Sequence, residues 1–284
     1  MGSSQPPLLT LNYQYPLSAA IYKAIQKVDH EFAAFLHDKG YGEGAKSFKL
    51  FTFSDIRTPF KIIGDRMQLL TGKATLIVCF HIPEAAENFI KWLFIHQQLE
   101  IADKKTKVIF SVEQVESVPS VLPAGSSTSD TSFATVIFQP LSPMVVGRKN
   151  DRGHYDYRSP FDIGYTDCLL YNWLEKYQAA SSINVIRLEQ MKERVQIRVE
   201  FFPHPPQQRL IAIKQGTEAE TRIRGYTKFR LKVTAPAELL ELASNAGLGL
   251  HNAQGMGCVE IIRIVKEKNS LYGTKDHQTG IIGV

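Results

Sequence analysis

Eight histidines are spread along this 284-residue chain, and none stands in an HxxxH, HExxH or Cys/His pattern at metal-ligand spacing. No GxSxG elbow and no DxD cluster occurs. The chemistry that fits such a sequence is metal-free acid/base work by His, Tyr and Lys. Three residues in the N-terminal region suit it. His37 ends the short helical stretch DHEFAAFLHDKG, just before KGYGEGAK, where Gly40, Gly42 and Gly44 can form a mobile loop. Tyr22 follows Ile21 at the edge of a helix's buried face, and Lys49 lies in the strand FKLFTFSDI. Each also has an ordinary reading. A histidine beside a helix C-terminus caps it and offsets its dipole, a tyrosine beside Ile21 is a half-buried core aromatic, and a strand lysine is a solvated charge.

Two further stretches suit anions, and a third suits close backbone approach. In TRIRGYTKFRLKVT, residues 221–234, Arg222, Arg224, Lys228, Arg230 and Lys232 are all at even positions, with Ile223, Phe229, Leu231 and Val233 at odd ones. In one strand these would form a row of cations about 6.6 Å apart, comparable to the spacing of phosphates along a nucleic-acid strand. Gly225 and Tyr226 mark where a bulge would break the register, and a solvated strand face is the ordinary alternative. GRKNDRGHYDYRSP, residues 147–160, interleaves Arg148, Lys149, Arg152 and Arg158 with His154, Tyr155 and Tyr157. That mixture stacks on unpaired bases and neutralises phosphates, although a polar surface loop has a similar composition. GLGLHNAQGMG, residues 247–257, carries Gly247, Gly249, Gly255 and Gly257, a pattern for a tight, exposed backbone surface. The helical PAELLELASNA precedes it and the β-branched CVEIIRIV follows. This is the wrong polarity for a dinucleotide fingerprint or a P-loop.

The elements that must carry these residues follow from periodicity. LLTLNYQY reads as a strand, and PLSAAIYKAIQKV as a helix burying Leu17, Ala20, Ile21, Ala24, Ile25 and Val28. Asp29 is the expected N-cap of the next helical piece. The strand FKLFTFSDI, a hairpin through FKIIGDRMQLLTG into KATLIVCFHI, the helix PEAAENFIKWLFIHQ and the strand KVIFSVEQVESV complete the order β, α, β, β, α, β, the ferredoxin-like split unit. VPSVLPAGSSTSDTS reads as a linker. The pattern then restarts: the strand FATVIFQPLSPMVV, a helix around GYTDCLLYNWLEKYQ, strands in INVIRLEQMKERVQIRVEFF, the basic strand, a helix, the glycine loop and a last strand. The expected fold is α+β, with an N-terminal ferredoxin-like domain (1–117), a linker or long loop (118–132) and a C-terminal ferredoxin-like domain (133–284) carrying the glycine-rich loop, with a groove between the two sheets.

Hydrophobic residues make up 44% and charged residues 21%, and no apolar run approaches the ~18 residues of a membrane span, so a cytoplasmic globular protein is expected. Cys79, Cys168 and Cys258, odd in number and lacking CxxC spacing, read as core thiols and not as a disulfide framework or zinc site. The net charge of +5 leans towards an anionic partner.

Taken together, these pieces resemble the CRISPR-associated repeat-processing endoribonucleases, members of the repeat-associated mysterious protein superfamily. GLGLHNAQGMG, FQPLSPMVV, IYKAI with FLHDKG, and FKLFTFS carry the resemblance, which spans nearly the whole chain. It implies cleavage of the repeat in a long CRISPR transcript to release guide RNAs, with no metal and no cofactor. It also implies an active site of Tyr22, His37 and Lys49, with Lys46 as the lysine if the glycine loop shifts the register. The 2′-hydroxyl before the cut would attack its own phosphorus, giving a 2′,3′-cyclic phosphate and a 5′-hydroxyl. His37 would serve as general base or acid, Tyr22 as its partner and Lys49 as electrostatic stabiliser. RNA contacts are expected at Arg148, Lys149, Arg152, Arg222, Arg224, Lys228, Arg230, Lys232, Gly247, Gly249, His251, Asn252, Gly255 and Gly257.

Two features depart from the family. Its glycine loop usually holds a Lys or Arg where this one has LHNAQ, which shifts the electrostatic burden to the basic strand, and it does not require the insertion at 118–132. Expected partners are CRISPR repeat RNA and, beyond it, other CRISPR-associated interference proteins; a homodimer is compatible, and no membrane is involved. The competing reading is a non-catalytic RNA-binding subunit of an interference complex. An unrelated single-strand binder is disfavoured, because the usual recognition-module motif is absent.

Overall fold

The computed structural model describes residues 6–42, 47–122, 133–181, 183–214, 217–218 and 220–265. Strand β1 (Leu8–Thr10) leads into helix α1 (Gln14–Val28), which starts two residues ahead of Pro16 and so takes the proline into its first turn. Leu17, Ile21, Ala24 and Ile25 are fully buried, whereas Ala20 is half-buried and Val28, the last residue of the helix, is exposed. Asp29 caps α2 (His30–Ala34) by accepting the Phe32 amide at 2.9 Å. The helix then widens into a π-turn (Phe35–Lys39), closed by the Gly40 amide donating to Phe35 O at 2.7 Å.

Strands β2 (Phe51–Phe53), β3 (Phe60–Ile63), β4 (Arg66–Leu69) and β5 (Val78–Phe80) precede α3 (Pro83–His96), and a hairpin of β6 (Gln98–Ala102) and β7 (Lys107–Ser111) follows it. Their pairings differ from a single four-stranded sheet. β4 joins β1 to β3, β2 pairs with β5, and β6 pairs with β7. The three-residue length of β1, β2 and β5 leaves too few ladder bonds to knit these groups together, and β6 was not anticipated. One hydrophobic cluster nevertheless unites them, with Ile21, Phe51, Phe89 and Ile101 among its members.

The second half opens with β8 (Phe133–Pro140), the hairpin β9 (Val146–Lys149) and β10 (Tyr155–Arg158), and helices α4 (Tyr165–Ala180) and α5 (Val185–Arg194). Next come β11 (Gln196–Phe201), the ribbon β12 (Gln207–Ile213) and β13 (Thr221–Thr227), β14 (Phe229–Pro236), α6 (Ala237–Ala246) and β15 (Val259–Val265). The stretch expected to be strands from Ile183 is therefore helix first. Asn184 caps it, accepting the Arg187 amide at 2.9 Å, and Leu188 and Met191 are buried at helical spacing. Strands β11, β14, β8 and β15 form a four-stranded sheet in that order, every neighbouring pair antiparallel. Taking β8, β11, β14 and β15 as first to fourth, the order is second, third, first, fourth. Phe138, Leu231 and Val233 face Trp173, Leu239 and Ala243 in the core beneath.

The expected basic strand is two strands. The chain turns at Lys228, which has φ 59°, so Arg222 and Arg224 sit on the ribbon while Arg230 and Lys232 sit on the four-stranded sheet. Gly225 is no bulge: it pairs with Arg209, and a Cβ there would lie 2.7 Å from Pro143. The expected single row of five cations is thus divided between two surfaces. Of the expected linker, residues 118–122 carry neither helix nor strand, and 123–132 lie outside the described residues.

The ribbon grips the N-terminal half. Arg209 donates to Leu11 O at 2.9 Å and to Asp55 Oδ1 at 3.1 Å, and Asp55 also accepts the Tyr13 hydroxyl at 2.8 Å and the Gln14 amide at 3.1 Å. The glycine loop supplies the other seam. Ser18 Oγ donates to Ala253 O at 2.6 Å and Thr52 Oγ1 to Met256 O at 3.1 Å.

Candidate functional site

Three elements bring Tyr22, His37 and Lys49 together. α1 presents Tyr22 with its ring edge-on to Phe51, centroids 5.4 Å apart, and to His37, centroids 6.1 Å apart. The π-turn carries His37 outward, leaving its side chain 77% exposed with Nδ1 2.8 Å from Asp38 Oδ1. Lys49, one residue before the left-handed Leu50 (φ 52°), folds its ammonium back to donate to His37 O at 2.8 Å. Gly40 makes this possible. Its φ is +64°, and a Cβ there would stand 2.7 Å from Phe48 O and 3.0 Å from Lys49 Nζ. Lys46 lies outside the described residues.

The electrostatics separate the roles. Burial pushes the Tyr22 phenol well above the ordinary tyrosine range, so it keeps its proton and is able to donate a hydrogen bond. Burial lowers the Lys49 ammonium, partly opposed by the Asp38 carboxylate. When Nδ1–H donates to Asp38, the His37 Nε2 lone pair is directed away from that carboxylate. A phenol donor, an imidazole and a desolvated cation can together move two protons and hold an anion. Among the described residues no group of three His, Cys, Asp or Glu side chains is placed to hold a metal ion, and no helix is long and apolar enough to cross a membrane.

The aromatic hairpin and the glycine loop meet. Tyr155 and Tyr157 stack, centroids 5.9 Å apart, and Tyr155 lies edge-on to His251 at 6.0 Å. Arg148 lies over the Tyr171 ring at 3.9 Å and Lys149 over Tyr155 at 5.8 Å; both cations and Arg152 are exposed. On the ribbon, exposed Arg222 pairs with Glu220 at 3.0 Å. On the sheet, half-buried Arg230 reaches Gln139 at 3.4 Å and covers the Phe202 ring.

The glycine loop is packed and not an exposed shelf. All four glycines have positive φ and are buried. A Cβ would lie 2.2 Å from Val145 O at Gly249, 2.2 Å from the Phe53 ring at Gly255 and 1.9 Å from Leu248 O at Gly257. Asn252 points inward, donating to Leu248 O at 3.0 Å and Met256 O at 2.9 Å. The buried Lys176 ammonium binds Gly247 O at 2.5 Å, Asn252 Oδ1 at 2.6 Å and Ala246 O at 3.3 Å. The sequence reading passed over Lys176 and Arg209. The available signal was a lysine in the buried stripe Leu169, Trp173, Lys176 of α4. Gly249→Ala is expected to lower stability by about 3 kcal/mol or more, whereas Gly153→Ala, at φ +78° with open space around it, costs about 1 kcal/mol. Thermal melts of the two variants separate steric clash from backbone strain.

Two family models cover these features: CRISPR associated protein Cas6, N-terminal, over residues 8–116, and Cas6, C-terminal, over residues 127–261. The chain belongs to the Cas6 family. A Cas6 relative, CRISPR-associated endoribonuclease Cas6 1 of Methanocaldococcus jannaschii, is 23% identical over 269 residues, covering 94% of this chain and 93% of that protein. Two solved structures share the fold. One is of a Cas6-related gene from Pyrococcus furiosus, with TM-score 0.67, 19% identity and coverage of 94% and 96%. The other is described as a RAMP protein binding different RNA substrates, with TM-score 0.69, 16% identity and coverage of 92% and 95%. The Cas6 N-terminal match contains Tyr22, His37 and Lys49, and the C-terminal match contains the aromatic hairpin and the glycine loop.

Proposed function

We propose that this protein is an endoribonuclease that cleaves CRISPR repeat RNA, without a metal, by attack of the 2′-hydroxyl on the adjacent phosphorus. The observation that carries the reading is the convergence of Tyr22, His37 and Lys49 from a helix, a π-turn and a strand approach. His37 takes the 2′ proton or returns one to the departing 5′ oxygen, Tyr22 donates a hydrogen bond to the reacting phosphate, and Lys49 offsets the charge of the phosphorane. The products are a 2′,3′-cyclic phosphate and a 5′-hydroxyl. The Methanocaldococcus relative's name supports the activity class, and the exposed Arg148, Lys149 and Arg152 beside Tyr155 suit single-stranded RNA. The reading includes two ferredoxin-like units, 1–117 and 133–284, supported in the second by the strand order of its sheet. RNA contact at the glycine loop falls to His251, the loop's aromatic neighbour of Tyr155, because Asn252 is engaged internally.

The test is incubation of the protein with its repeat RNA in excess chelator, beside the same RNA lacking the 2′-hydroxyl at the cut. Cleavage of the first RNA alone is expected. Binding of both without cleavage of either would instead fit a non-catalytic subunit of an interference complex. A pH profile tests the role of Lys49. Because burial lowers its ammonium, the stabilising charge is lost as pH rises, at a lower pH than for a free lysine. Single-turnover cleavage should therefore fall on the alkaline side, and Lys49→Arg should move that limb upward, since guanidinium stays charged.

A further inference from the structure

Cys79 and Cys258 are 179 positions apart in the chain and belong to different halves, yet they meet at the seam. Cys79 lies in β5 directly opposite Thr52 of β2, and Thr52 donates its hydroxyl to Met256 O at 3.1 Å, two residues before Cys258. Thr52 Cβ lies 3.2 Å from where a side chain on Gly247 would begin, so this strand pair is seated on the glycine loop. Cys258 is held on both sides of its peptide. Its amide donates to Ser142 Oγ at 3.0 Å, and its carbonyl accepts the Leu141 amide at 2.8 Å.

The two thiols are close enough to interact, which lowers the Cys79 thiol and raises that of Cys258. Cys79 is half-buried, Cys258 is buried, and Cys168 lies buried elsewhere, in α4. The pair thus has one half-buried thiol and one buried thiol beside it, an order of exposure that suits an attacking and a resolving cysteine.

We propose that Cys79 and Cys258 form a reversible disulfide on exposure to peroxide, stapling β5 to the strand side of the glycine loop and joining the two halves covalently. The Cys79 thiolate attacks a peroxide oxygen, breaking the O–O bond to give a sulfenic acid and, with one proton, water. The Cys258 sulfur then displaces the sulfenic hydroxyl, its thiol proton leaving with that hydroxyl as a second water. Two electrons pass from the thiols to one hydrogen peroxide, and a dithiol reductant reverses the change.

The test treats the full chain with a few equivalents of hydrogen peroxide, blocks free thiols and maps the peptides without reduction. A peptide linking Cys79 to Cys258 is expected as the main oxidised product, with Cys168 outside the link. Oxidation should raise Tm by about 5–10 °C, dithiothreitol should reverse the rise, and Cys79→Ser should abolish both link and rise. Sulfinic or sulfonic acid on Cys79 with Cys258 still free, or any pairing through Cys168, would overturn the proposal. So would a link that forms without changing Tm, because it would show that the seam is not constrained by it.

Discussion

His37→Ala is expected to lower the rate of repeat-RNA cleavage by about 10²–10⁴-fold, the usual contribution of a general acid or base. Stability and RNA affinity should change little, because the His37 side chain is 77% exposed and its polar contact is with the neighbouring Asp38. Lys49 should also stay in place, since it is held by the His37 main-chain carbonyl, which alanine retains. Single-turnover cleavage with saturating protein isolates the chemical step from binding. A rate within about threefold of wild type would move the proton transfer to another residue while leaving the family assignment intact.

Lys176→Met carries a large expected stability effect, about 2–4 kcal/mol or roughly 5–12 °C in Tm. It leaves Gly247 O, Ala246 O and Asn252 Oδ1 without the side-chain nitrogen that gathers them. The effect depends on pH in a definite direction. Burial pushes the Lys176 ammonium down to about 7, whereas in the unfolded chain it titrates near 10.4. Between those values the unfolded state holds a proton that the native state lacks, so native stability rises with pH, by about 1.4 kcal/mol per unit at most. Below pH 7 both states are charged and the slope vanishes. The stability gap between wild type and Lys176→Met should therefore be smaller at pH 6 than at pH 9, as read from urea midpoints. Equal gaps at the two values would mean that the native lysine is charged throughout, held by its three acceptors.

The elements that position the proposed active site were legible because they obey simple rules. Leu17, Ile21, Ala24 and Ile25 repeat at helical spacing, Asp29 caps, and Gly40 stops the turn. The meeting of Tyr22, His37 and Lys49 was not legible from spacing, since it depends on a π-turn and on the left-handed Leu50. The resemblance to a family supplied the trio. Errors arose where a local pattern had two solutions. TRIRGYTKFRLKVT alternates well enough for one strand, but Lys228 at φ 59° turns the chain between two sheets while preserving the alternation on either side. INVIRLEQMKER is β-branched at its start, yet the Asn184 cap and the Leu188 and Met191 spacing decide for helix. The glycine loop was read as open because glycine permits close approach. The approaching groups turned out to be Val145, Phe53 and the loop itself, and their identity lies in tertiary structure.

The seam between the halves also sets an order in time. Ser18 and Thr52, beside the proposed active site, anchor to Ala253 and Met256, 235 and 204 positions later in the chain. At roughly 5–20 residues per second of synthesis, α1 and β2 leave the ribosome some 10–50 s before the backbone that seats them exists. The side chains proposed for catalysis are thus made early and fixed late. A nascent chain ending before Gly247 would carry all three without their seat, so nuclease activity should appear only once the C-terminal segment has been made.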